Sequence, residues 1–123
     1  MQIIPNPDCI RVQLPGAATV RFLAEGKLLH EDKMIGEYIY APEKPILWNA
    51  EKPYLYTVEL ERLGEKLTFK TGLRSVAISE DFELLVNGQS VKLHGVNHHD
   101  TSKFGGWCQT DDELRYDLEL MKS

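Results

Sequence analysis

The feature that most restricts this chain is a two-residue alternation of apolar and polar side chains, cut at intervals by pairs containing Gly or Pro. Ile10, Val12 and Leu14 alternate with Arg11 and Gln13 as far as Pro15-Gly16. Val20, Phe22 and Ala24 alternate with Arg21 as far as Glu25-Gly26, after which Lys27-Leu28-Leu29-His30 returns. Residues two apart share a face only in an extended strand, so each run predicts a strand with one buried face and each break a turn. Glu37-Tyr38-Ile39-Tyr40 predicts a short strand closed by Pro42 and Pro45, since proline cannot donate to a ladder. Tyr56, Val58 and Leu60 alternate with Thr57, Glu59 and Glu61, and past Leu63-Gly64-Glu65 Leu67 and Phe69 alternate with lysines and threonine. This is the clearest hairpin.

Short strands with turn signals about every 8–12 residues, and no helical pattern before residue 108, predict a mainly β fold, an antiparallel β-sandwich of the immunoglobulin-like sort, over residues 1–78. Trp48, in an aromatic-rich loop with Tyr54 and Tyr56, is expected to plug the end of its core, and His30 to sit at a surface or strand end. The 123 residues suffice for one core. Ser79-Glu80-Asp81 marks a boundary, so residues 79–123 form a second region.

The net charge of −5 is spread along the chain without a basic stripe, which argues against nucleic acid as a partner. No apolar run reaches the ~20 residues of a membrane helix and no secretory leader is evident. Cys9 and Cys108 are far apart and fit neither a metal spacing nor a disulfide framework, so a cytoplasmic location is the expectation.

Past the boundary, Phe82, Leu84 and Val86 run to Asn87-Gly88, the strongest two-residue hairpin signal, and Val91 and Leu93 return. His94-Gly95-Val96-Asn97-His98-His99-Asp100 follows, with three of the four histidines. A loop with Phe104 and Trp107 leads to Thr110-Asp111-Asp112-Glu113, a capping box, and to Leu114, Leu118 and Met121 at helical spacing. Strand, loop and helix are half of a β/α repeat, and polar residues at such a strand's C-terminal end occupy the catalytic face of a (β/α)8 barrel. Asn and His suit hydroxyl-rich ligands because both donate and accept hydrogen bonds.

His94, His98, His99 and Asp100 are zinc-ligand types, but neighbours on a strand diverge, which disfavours a metal site. Among carboxylates, Asp111, Asp112 and Glu113 are explained by the helix N-terminus, and Asp100 alone is not the pair that glycoside hydrolysis uses. Trp48, Trp107 and the tyrosines are aromatics that stack on sugars, although core and loop-anchoring roles are commoner.

Three motifs resemble the glycoside hydrolase family 2 β-galactosidases. Leu47 to Tyr56 resembles the family's Leu-Trp-Ser-Ala-Glu-x-Pro-x-Leu-Tyr, Gly72-Leu73-Arg74 its Gly-Phe-Arg, and Leu85 to Gln89 with His94 to Asp100 its Leu-Leu-Asn-Gly-Lys and Arg-Gly-Val-Asn-Arg-His-Glu. The resemblance implies an internal piece of a large retaining glycosidase acting on terminal β-galactosides: the sandwich domain, then the hairpin, first strand and first helix of the barrel. It implies substrate binding by His99, in the galactose site, with Asn97 beside it. No catalytic residue falls in this chain, and the isolated chain is expected to be inactive. Magnesium, with sodium, is implied for the parent, on ligands outside this chain, and the parent is implied to be a homo-oligomer. His94, His98 and Asp100 depart from the family's basic residue, Arg and Glu. A non-catalytic immunoglobulin-like spacer that binds carbohydrate or protein is the alternative.

Overall fold

The computed structural model describes residues 1–123, which divide into two compact units, Met1–Val91 and Lys92–Ser123. The first unit holds strands β1 (Gln2–Pro5), β2 (Ile10–Ala24), β3 (Lys27–Tyr40), β4 (Tyr56–Arg62), β5 (Glu65–Thr71), β6 (Val76–Ile78), β7 (Leu84–Val86) and β8 (Gln89–Ser90). β1 to β5 make one antiparallel sheet in the order β1-β2-β4-β5, with β3 along the other edge of β2. The fold is mainly β, and its curled antiparallel sheet fits the expected β-sandwich.

The predicted break at Pro15-Gly16 is a bulge inside a continuous strand. β1 pairs with β2 only as far as Gln13 and β4 only from Thr19 onward, so between them that edge of β2 has no neighbour. A proline there interrupts no ladder. The register steps from Leu14↔Gly36 to Ala17↔Ile35, leaving Pro15 and Gly16 as extra residues. An insertion of two preserves the alternation, so Ile10 and Val12 before it and Ala18, Val20, Phe22 and Ala24 after it are all buried. Gly16 takes φ +90°, a conformation that glycine adopts without strain, and Arg62 donates to the Pro15 carbonyl at 2.6 Å.

Lys27–His30 and Glu37–Tyr40 are likewise one strand, β3, because every residue between them can pair with β2. Its charged stretch Glu31-Asp32-Lys33 suits a sheet edge, where charge discourages pairing with another chain. His30 is correspondingly within a strand, half-buried, its ring 5.5 Å from that of Tyr40 and close to Phe22 and Tyr38. The core is completed by Met34, Tyr56, Val58, Leu60 and Leu73.

The turns Glu25-Gly26, Leu63-Gly64 and Asn87-Gly88 all have positive φ at both residues, the two-residue geometry that matches strand twist. The last joins β7 to β8 in a separate three-stranded sheet, β6-β7-β8. Trp48 plugs no core end. It is half-buried, its N–H donates to the Leu73 carbonyl (2.8 Å), its carbonyl accepts from Asn87 Nδ2 (2.8 Å), and the Arg74 guanidinium lies 5.0 Å from its ring centre. The fully buried side chain at this point is Leu73.

In the second unit, helix α1 (Asp111–Lys122) carries the expected capping box: Glu113 N–H donates to Thr110 Oγ1 and Thr110 N–H to the Glu113 carboxylate. None of its residues is buried, and the Leu114, Leu118 and Met121 stripe is uncovered. Residues 91–100, expected to return the hairpin and then form a barrel strand, are in no strand; Val91 N–H alone extends the hairpin, to Leu84 O. A barrel strand is held by parallel neighbours on both edges, and none of the strands here supplies one.

Candidate functional site

The segment His94 to Asp100 is exposed throughout. Asn97 and His99, the two residues singled out for substrate binding, make no side-chain hydrogen bond within the chain, and the His99 carbonyl accepts from Thr101 N–H at 2.8 Å as the backbone turns. Their amide and imidazole groups are therefore free to pair with ligand hydroxyls. No three His, Cys, Asp or Glu side chains come together as a metal would need, so His94, His98, His99 and Asp100 do not converge.

His98 alone of the cluster has partners. Its Nδ1 lies 3.2 Å from Asp100 Oδ1 and its Nε2 2.9 Å from Asp117 Oδ2 on α1. Gln109 Nε2 donates to the same Asp117 oxygen (2.9 Å) and to the Thr101 carbonyl (3.2 Å). The hydrogen bond to Asp117 holds the His98 ring above the usual histidine range, with Asp100 adding to the effect. The bonds from His98 and then Gln109 hold Asp117 below the usual carboxylate range.

The intervening loop is shaped by Ser102, whose hydroxyl donates to Glu113 (2.6 Å) and accepts from the backbone N–H groups of Phe104 (3.2 Å) and Gly105 (3.0 Å). That bond, with those from Thr110, pulls Glu113 below the usual carboxylate range. A side chain at Gly105 would meet the Cys108 carbonyl at 2.4 Å, so only glycine fits there. Asp117, Gln109 and Ser102 were not among the sequence candidates. Asp117 left a signal: at helical spacing it falls between Leu114, Leu118 and Met121, a lone charge inside an apolar stripe.

Residues 76–123 match the family model described as glycosyl hydrolases family 2, TIM barrel domain. Among curated proteins, the chain is 39% identical over 88 residues to a β-galactosidase of Staphylococcus xylosus, covering 72% of this chain and 9% of that protein. It is 36% identical over 109 residues to one of Lactococcus lactis, covering 80% and 11%. The chain belongs to glycoside hydrolase family 2.

Solved structures agree in fold. A β-glucuronidase of Ruminococcus gnavus superposes with a TM-score of 0.78 at 23% identity, over 98% of this chain and 22% of that one. A Lactobacillus rhamnosus β-glucuronidase gives 0.75 at 22% identity, with the same coverage. The chain thus spans about a tenth of its curated family 2 relatives and about a fifth of these structures.

Proposed function

We propose that the chain is part of a β-galactosidase that hydrolyses terminal β-D-galactosides with retention of configuration, in carbohydrate metabolism. The observation that carries this reading is the run of β-galactosidases among its relatives, 39% identical over 88 residues in one case, together with the motif Asn97-His98-His99-Asp100. Residues 1–78 act as the supporting sandwich and residues 79–123 as the start of the barrel. Asn97 and His99 bind sugar hydroxyls with side chains that nothing in this chain occupies. The two carboxylates that double displacement requires, about 5–5.5 Å apart, come from elsewhere in the protein, as do the ligands for magnesium and sodium. The parent is read as a cytoplasmic homo-oligomer in which the other domains of the same chain are the partners of this one.

The test is chromogenic β-galactoside hydrolysis. The 123-residue chain is expected to give no turnover, and the full-length enzyme to turn over and to lose activity in His99→Ala, with KM rising. Hydrolysis by the short chain alone, or a full-length enzyme that ignores galactosides, overturns the reading. Calorimetric saturation of the short chain by lactose would instead make it a carbohydrate-binding spacer.

A further inference from the structure

His98 stands between two carboxylates, one from the segment that carries Asn97 and His99 and one from helix α1. A deprotonated carboxylate only accepts hydrogen bonds, so the Nε2 that meets Asp117 carries the proton between them, and Asp100, within ion-pair distance of Nδ1, favours a proton there as well. The neutral ring would turn a lone pair toward one of the two. A ring with a carboxylate on either side, Asp117 hydrogen-bonded at 2.9 Å and Asp100 at 3.2 Å, favours the imidazolium cation.

Asp117 is fixed independently. Gln109 donates to the oxygen that His98 uses and also holds the Thr101 carbonyl, so helix, loop and segment meet at one carboxylate. The charged groups facing the ring are Asp100 on its own segment and Asp117 on α1; Gln109, from the loop, is neutral. Glu113, one turn before Asp117, is of the same charge and is engaged by Ser102 and Thr110.

We propose that His98 is a positioning residue, an imidazolium strut that fixes the Asn97–His99 segment to helix α1 and loosens its hold when the ring loses its charge. Only the consequence for galactosides rests on the function proposed above; the strut itself does not. The titration directions agree with the geometry. With the ring's folded value raised, the strut's contribution is complete below the ordinary histidine value of about 6.5 and is lost as pH rises through the raised value. With Asp117 lowered, the contribution is complete above the ordinary aspartate value of about 3.9 and is lost as pH falls through the lowered one. The strut is at full strength between those two ordinary values.

Two measurements test it. The first follows the histidine ring protons of the 123-residue chain by NMR against pH, with the His98 signal assigned from its loss in His98→Gln. The expected result is a His98 midpoint above the ordinary range that falls in Asp117→Asn; a midpoint indifferent to Asp117→Asn overturns the strut. The second measures kcat/KM for an aryl β-galactoside against pH in the full-length enzyme. His98→Gln is expected to lose roughly 10- to 100-fold, the scale of a misplaced binding group. His98→Arg, charged at every accessible pH, is expected to restore activity and abolish the alkaline fall that His98 causes. An alkaline fall unmoved in His98→Arg overturns the positioning role. A full-length enzyme inert toward galactosides overturns the substrate reading and leaves the NMR result standing.

Discussion

Gly72→Ala is the sharpest probe of how the first unit closes. A Cβ at residue 72 would lie 2.6 Å from Trp48 Cβ and 2.7 Å from both Cγ and Cδ1, well inside contact distance. Gly72 is not in the left-handed region, so the whole cost is steric. Moving Trp48 strains a packed contact, at about 1–3 kcal/mol, and disturbs the 2.8 Å bond from its N–H to Leu73, worth about 1 kcal/mol. Alanine returns about 0.4–1 kcal/mol by restricting the unfolded chain. The net loss is about 2 kcal/mol, or about 8 °C in Tm for a domain near this size, read by thermal denaturation.

Because the nearest of the three atoms is Trp48 Cβ, Trp48→Ala leaves the clash in place and Trp48→Gly removes it. Gly72→Ala is thus expected to remain costly beside Trp48→Ala and to become nearly neutral beside Trp48→Gly. A Tm shift below about 2 °C in the parent background, or an equal cost in both Trp48 backgrounds, refutes the steric account.

Phe22→Ala should cost about 3–5 kcal/mol, since the ring is fully buried and little can collapse into its place; urea unfolding measures the loss. Thr110→Ala removes the capping box and should lower helix stability by about 1 kcal/mol, seen as faster amide exchange over residues 111–122 with the β-sheet amides unchanged. Asn87 is at φ 52° and its side chain links Ser75 N–H to the Trp48 carbonyl. Asn87→Ala should therefore be worse than Asn87→Gly by about 1 kcal/mol, the left-handed strain that alanine alone feels, in paired thermal melts.

The sequence disclosed what local chemistry decides. Glycine at the second place of Glu25-Gly26, Leu63-Gly64 and Asn87-Gly88 announced turns that the structure contains, and Thr110 with Glu113 announced the helix start. What it concealed depends on which neighbour is present. Pro15-Gly16 reads as a break because proline cannot donate, yet nothing local says that this edge of β2 is unpaired. Lys27–His30 and Glu37–Tyr40 read as separate strands until Glu31-Asp32-Lys33 is found paired with β2 between them. His94 to Asp100 is expected as a barrel strand from its place before a loop and helix and from the family resemblance, and lacks the parallel partners that would make it one. In the site, the histidine cluster was visible, but the one histidine with partners was identified by a carboxylate 19 residues later.

Strand β2 takes part in three of the four pairings of the five-stranded sheet, with β1, β3 and β4. No subset of that sheet can come apart while β2 stays whole except by peeling from the outside, so the β2 amides paired to β4, inside the sheet, are among the last to exchange. The chain therefore tolerates a nick according to membership rather than appearance. Cleavage at Glu25-Gly26 separates two complete strands. Cleavage at Pro15-Gly16, the pair that most resembles a loop, divides the strand that the others share.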